Sequence, residues 1–198
     1  MPRFIETIKL LDGEFYNLER HQQRVEGTFE RYFPYSKIVN LIDRLREVEI
    51  PKTGLFKCRV VYETDIDKVE VEPYQIKSVT SLKIVRSESV GYDYKFENRD
   101  ELLQLYKLRG DADDIVIVKN GLVTDSSYAN LIFKKGSEWF TPSTPLLRGT
   151  MRHRLIEDKK VGEQIISLND IRKFEKIKLV NSMVGFDGPE VDIKNVIF

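Results

Sequence analysis

Gly121-Leu122-Val123-Thr124-Asp125-Ser126-Ser127-Tyr128-Ala129-Asn130-Leu131-Ile132-Phe133 runs on through Trp139-Phe140-Thr141-Pro142 to Leu146-Leu147-Arg148-Gly149-Thr150-Met151-Arg152. The stretch reads as a turn, an acidic residue, a run of small side chains and an apolar strand. A second strand follows, ending at Thr-Pro, and then a Gly-Thr pair that opens a helix. The first amides of a helix have no intrahelical partners and carry positive potential, which suits a phosphate. An acidic side chain and a phosphate cradle in one module match a ligand with a phosphate at one end and a basic nitrogen at the other.

Working outward, the N-terminal half reads as a smaller α/β region. Phe4 to Leu10 has strand character, and Asp12-Gly13 signals a tight turn. Asn17 is a candidate N-cap for a helix reaching about Tyr32; Pro34 and Ser36 break it, and Lys37 to Val48 reads as a second amphipathic helix. Strands are expected at Gly54 to Tyr62, Lys68 to Tyr74 and Ser81 to Ser87. Glu88 to Asp93 lacks apolar periodicity and reads as a linker. A helix from Arg99 to Arg109, stopped by Gly110, comes next. Strands then recur at Ile115 to Lys119, Leu122 to Thr124, Asn130 to Lys134, Glu138 to Thr141, Gln164 to Ser167 and Lys176 to Asn181. Helices are expected at Thr150 to Lys160 and Asn169 to Lys173, and a last strand at Val191 to Phe198. The expectation is an α+β chain with a small domain at 1–87, a linker at 88–94 and a larger, barrel-like domain at 95–198.

Composition narrows the function classes. The chain has 198 residues, 41% of them hydrophobic, so a sizeable core is available. Its 32 basic and 32 acidic residues cancel, which argues against a general nucleic-acid or anionic-membrane binder. No apolar run approaches the roughly 18 residues of a membrane span. The N-terminus has no apolar signal-peptide stretch, so a cytoplasmic protein is the simplest expectation. Cys58 is the only cysteine, which rules out an intramolecular disulfide; with two histidines it leaves too few ligands for a zinc site. There is no P-loop, G-x-G-x-x-G or G-x-S-x-G motif.

The module quoted first resembles the pattern G-x-v-x-E-x-s-x-x-N-l-f … w-x-T-P … L-L-x-G-x-x-R of the class IV (fold type IV) pyridoxal-phosphate aminotransferases. That family includes branched-chain and D-amino-acid aminotransferases and 4-amino-4-deoxychorismate lyases. The resemblance runs from Phe4 to about Pro189. It implies a two-lobed fold, pyridoxal 5'-phosphate as cofactor, and a homodimer whose partner loop closes the site. The chain starts almost at the family's F-E-T segment, here Phe4-Ile5-Glu6-Thr7, without the further N-terminal strand pair. In this it looks like the short lyase modules fused to aminodeoxychorismate synthase, which makes that synthase a candidate functional partner.

The resemblance also implies roles for residues. Lys95, in Tyr92-Asp93-Tyr94-Lys95-Phe96-Glu97-Asn98-Arg99, occupies the cofactor-lysine position, and its K-x-x-x-R spacing to Arg99 fits the lyases. Taken without the family it would be an ordinary solvated lysine. Asp125 stands where the family has Glu beside the pyridine nitrogen; the bland alternative is a turn cap acting with Ser126 or Ser127. Gly149, Thr150 and Met151 would hold the phosphate through helix amides. Arg24, in His21-Gln22-Gln23-Arg24, matches the phosphate arginine of H-x-x-R-L, with Val25 replacing Leu and His21 structural. Ser182 would supply a hydroxyl near the phosphate. Arg59 and Lys57, on one face of a strand, are candidates for a substrate carboxylate, and Thr7 for a weaker substrate contact. The implied reaction is elimination of pyruvate from 4-amino-4-deoxychorismate, with Lys95 as general base. The alternatives are a branched-chain or D-amino-acid aminotransferase, and a cofactor-free scaffold that keeps the fold.

Overall fold

The computed structural model describes residues 1–198 and divides the chain into two compact units. Unit 1 is Met1–Ile76 with Tyr94–Asn98; unit 2 is Lys77–Asp93 with Arg99–Phe198. The partition differs from the sequence expectation at both edges. The strand at 82–86 hydrogen-bonds into unit 2, and the segment carrying Lys95 returns to unit 1.

Unit 1 begins with β1 (Phe4–Leu11) and β2 (Glu14–Phe15), followed by α1 (Leu18–Tyr32), α2 (Leu41–Arg46), β3 (Leu55–Tyr62) and β4 (Ile66–Pro73). The four strands form an antiparallel sheet in the order β2-β1-β3-β4. Asp12 and Gly13, at φ 50° and 82°, make the hairpin turn between β1 and β2. Positive φ at both central residues gives the twist that two-residue hairpins favour. α1 buries His21, Val25, Thr28 and Phe29, a spacing that puts them on one helical stripe. That stripe packs on Phe4, Ile8, Cys58, Val60 and Tyr62, alternate residues of β1 and β3. Each fully buried side chain of this size contributes about 1.5–3 kcal/mol. Burial pushes the Cys58 thiol up to about 12.

The expected helix from Lys37 to Val48 shrinks to α2, only six residues long. Asn40 sets its start: the side chain accepts from the Ile42 and Asp43 amides at 2.9 and 3.2 Å. Asn17 does precede α1, but in the left-handed region and with no side-chain cap bond. The segment 94–98 completes the unit. The Ile5 amide donates to the Lys95 carbonyl at 2.9 Å and the Glu97 amide to the Arg3 carbonyl at 2.8 Å. Phe96 packs on Phe4 at a tilt and on Tyr32 edge to face, with ring centroids 5.1 and 5.8 Å away.

Unit 2 contains β5 (Leu82–Arg86), α3 (Asp100–Lys107), β6 (Asp114–Lys119), β7 (Leu122–Val123), β8 (Asn130–Lys135), β9 (Glu138–Pro142), α4 (Thr150–Glu157), β10 (Gly162–Gln164), β11 (Lys176–Val180), β12 (Glu190–Asp192) and β13 (Val196–Ile197). Two sheets result, ordered β10-β9-β8-β11-β12 and β13-β5-β6-β7. Leu82, Val116 and Val118 of one sheet pack with Leu131, Phe133, Ile177 and Leu179 of the other in a single core. The expected last strand, Val191 to Phe198, is split. A 3-10 helix (Ile193–Asn195) lets the chain leave β11 and pair in parallel with β5. The expected helix at Asn169 to Lys173 is also a 3-10 helix (Leu168–Lys173), opened by Ser167 and Asp170 in a reciprocal capping box. No helix is long and apolar enough to cross a membrane.

Candidate active site

In unit 2 the acidic residue and the helix start form one network. Asp125 ends the turn after β7 and is 5% exposed. Its Oδ1 accepts from Asn130 Nδ2 at 2.7 Å, and its Oδ2 accepts from the Leu147 amide at 2.9 Å. The same Asn130 Nδ2 donates to the Leu147 carbonyl at 2.8 Å. Asn130 thus ties the carboxylate to the loop that enters α4. Gly149 lies so close to Asn130 that a Cβ there would sit 2.1 Å from Asn130 Oδ1. Only glycine lets the loop approach this far. Gly149 is the N-cap of α4, with no side-chain cap bond, and Thr150 and Met151 occupy the first turn.

The turn-cap alternative for Asp125 does not describe these contacts. The capping is done by Ser126, whose hydroxyl accepts from the Tyr128 and Ala129 amides at 3.3 and 3.0 Å. Burial pushes the Asp125 carboxyl up to about 6, against the lowering effect of the Leu147 amide, the Asn130 side chain and the Arg152 charge. A nearby cation would bring it back down. Arg152 is buried at the end of the same helix turn and donates to the Pro142 carbonyl at 2.9 Å and to Glu163. Its Nε is buried without a partner. Ser182 follows Asn181, whose Oδ1 accepts from the Met183 and Val184 amides and so shapes the turn around it.

In unit 1, Arg24 turns its Nε–Nη2 edge to Glu6, at 2.8 and 2.5 Å. Glu6 is fully buried, and its Oε2 also meets His21 Nδ1 at 2.5 Å. Glu6 is held at about 2: Arg24 first, then His21, overcomes the burial that would raise it. An ionised Glu6 fixes the proton of the His21 ring on Nδ1. Burial lowers His21, and the charges of Arg24 and Lys95 disfavour its protonation further. Lys95 therefore lies in the electrostatic neighbourhood of His21 and Arg24. Glu6 was missed in the sequence, where Phe4-Ile5-Glu6-Thr7 reads as packing and pocket wall with Thr7 as a weaker substrate contact. The signal was available: Glu6 shares its strand face with Phe4, Ile8 and Leu10, and a charge on an apolar face requires a buried partner.

Arg59, Lys57 and Thr7 share the opposite face of that sheet, where Thr7 pairs with Arg59 and Lys9 with Lys57. Arg59 is already bound by Glu97 at 2.9 Å and Glu70 at 3.3 Å, and Lys57 by Glu72. A substrate carboxylate would join this ion-pair ladder rather than meet an unpaired cation.

The donor set fits a phosphorylated pyridine. Unit 2 offers a buried carboxylate whose basicity favours a cationic ring nitrogen, joined through Asn130 to a helix N-terminus whose Gly149 leaves no room for a Cβ against that asparagine. Each carboxylate oxygen has two lone pairs, so the bonds to Asn130 and Leu147 leave acceptor capacity on Asp125. Unit 1 offers a guanidinium and a lysine.

Residues 3–186 match the family model described as amino-transferase class IV. A Haemophilus influenzae protein of unassigned function is 36% identical over 187 residues, covering 93% of this chain and 100% of its own. A solved Haemophilus somnus protein, provisionally named a 4-amino-4-deoxychorismate lyase, is 34% identical with a TM-score of 0.86; the likeness covers 94% of this chain and 98% of that one. A Mycobacterium tuberculosis protein named as a hypothetical aminotransferase, solved in its PLP-bound form, shares the fold at 19% identity and a TM-score of 0.78, over 96% of this chain and 80% of that one. The sequence match and the shared architecture together place this chain in the class IV aminotransferase family, as an enzyme dependent on pyridoxal 5'-phosphate.

Proposed function

We propose that the chain is a 4-amino-4-deoxychorismate lyase, releasing 4-aminobenzoate and pyruvate. The observation that carries this reading is the end-to-end likeness to the Haemophilus somnus protein of that provisional name. In this reading Lys95 binds the cofactor covalently. Arg24 and the Thr150 and Met151 amides take the phosphate, beside Gly149 and the Ser182 hydroxyl. Asp125 faces the ring nitrogen. Arg59, with Lys57 and Thr7 on the same sheet face, orients a substrate carboxylate.

The cofactor supplies an electron sink for the carbon that bears the substrate's amino group. Asp125, held ionised by the cofactor's cationic ring nitrogen, would keep that nitrogen protonated. Lys95 Nζ, set free when the substrate's amino group takes its place, would remove the proton from the amino-bearing carbon as general base. The bond from the neighbouring carbon to the enolpyruvyl oxygen then breaks, and the new double bond makes the ring aromatic. The departing enolpyruvate takes up a proton at its methylene and becomes pyruvate. The buried Asn130 link holds Asp125 fixed relative to the helix start throughout.

The test is to supply purified protein with 4-amino-4-deoxychorismate and no amino acceptor. Equal amounts of 4-aminobenzoate and pyruvate, with 2-oxoglutarate untouched, are expected. Conversion of leucine or D-alanine to the oxo acid at a useful rate, without the elimination, would assign an aminotransferase instead.

A further inference from the structure

Glu6 and His21 have no part in the chemistry above, yet they form the most deeply buried ionic cluster of unit 1. Both side chains are 0% exposed, and Arg24 is 13% exposed. Such a cluster is a poor way to gain stability, because the desolvation of buried ions offsets their attraction and apolar side chains would serve as well. What it does secure is geometry. A carboxylate that takes the Nε–Nη2 edge of a guanidinium in two parallel bonds fixes the plane and the direction of that guanidinium. His21 in turn fixes the carboxylate from the other side. One residue earlier on β1, the Ile5 amide holds the Lys95 carbonyl.

We propose that Glu6 is a positioning residue: clamped by His21, it aims Arg24 at the cofactor phosphate, while the adjoining Ile5 amide registers the Lys95 segment on the same strand. The inference rests on the reading of Arg24 as the phosphate ligand. Glu6 itself touches neither cofactor nor substrate, so its effect must pass through the phosphate alone.

Phosphate-specific binding is read by titrating cofactor-free protein with pyridoxal phosphate and, separately, with pyridoxal. The ratio of the two dissociation constants isolates the phosphate contribution. Arg24→Ala should collapse the ratio. Glu6→Gln should lower it by about tenfold, the scale of one charge-assisted hydrogen bond. It should add nothing further in the Arg24→Ala background, since both changes remove the same contact. Glu6→Asp, which keeps the charge at shorter reach, should fall between wild type and Glu6→Gln. If Glu6→Gln weakens both ligands equally, or leaves the ratio unchanged, the positioning role is overturned. Should that variant not fold, His21→Gln releases one side of the clamp and must still lower the ratio; an unchanged ratio there overturns the proposal too. A ratio that survives Arg24→Ala removes the phosphate role of Arg24, and this inference with it. A ratio that collapses in Arg24→Ala but not in Glu6→Gln removes this inference alone.

Discussion

Lys95 carries the sharpest expectation at the scale of single residues. If it is the cofactor lysine, Lys95→Ala should abolish the attachment that borohydride traps, and peptide mass spectrometry should find no reduced cofactor elsewhere. Reduced cofactor on Lys107 would move the site. Asp125 gives a second expectation. Asp125→Asn keeps the shape but cannot hold a ring proton, so proton abstraction should slow by about a hundredfold or more while cofactor still binds. Asp125→Glu should be far milder. The same carboxyl sets a pH dependence. In the cofactor-free protein it titrates near 6, above its ordinary 3.8. Its stabilising contribution is therefore complete below pH 3.8 and lost as pH rises through about 6, where ionisation in a buried place costs free energy. A cationic ring nitrogen compensates that cost only when Asp125 is ionised. Cofactor affinity should thus fall as pH drops below about 6, and Asp125→Asn should remove that inflection. An identical pH profile in the variant would detach Asp125 from the ring nitrogen.

At the scale of elements, the loop into α4 depends on one close approach. Gly149→Ala would drive its Cβ to 2.1 Å from Asn130 Oδ1. The variant should lose about 1–3 kcal/mol in chemical denaturation and bind cofactor more weakly, because the carboxylate and the helix start share Asn130. Gly91→Ala meets nothing within 4 Å and serves as the silent control. Much of this element was readable in the sequence: the order turn, acid, small residues, strand, Gly-Thr is local, and local chemistry is what residue patterns record. The bridging role of Asn130 was not readable. It joins residues 125 and 147, which become neighbours only after β8 and β9 have paired. The same limit hid the Glu6 cluster, where strand and helix meet through tertiary packing. The overlong helix from Lys37 had a different cause. Amphipathic spacing continues upstream of Leu41, but the Asn40 side chain competes for the first amides and sets the start, with Tyr35 and Ile38 left exposed.

Across the whole molecule, the most deeply buried carboxylate of each unit responds oppositely to acid, while Asp113, Asp170 and Glu190 of unit 2 are shallow carboxylates held low by surface hydrogen bonds that solvent screens. Glu6 in unit 1 titrates near 2 against an ordinary 4.5, so the stability it supplies is present above pH 4.5 and lost as pH falls toward 2. In unit 2, acid relieves the buried charge of Asp125. Unit 1 should therefore open first as pH falls. Each unit has its own reporter: Cys58, buried in unit 1, and Trp139, the single tryptophan, in unit 2. Below pH 4, a pyridyl disulfide should label Cys58 before Trp139 fluorescence changes. Simultaneous transitions would mean that the units open as one. Glu6→Gln should flatten the acid limb of the Cys58 curve. The chain's path through the units also has a consequence for synthesis. Residues 1–76 leave the ribosome first but lack Tyr94–Asn98, so Phe4 and Tyr32 emerge without the Phe96 ring that covers them. The lysine arrives on the very segment that seals the unit. A nascent chain stalled before residue 94 is at once an incomplete fold and one without its proposed cofactor attachment.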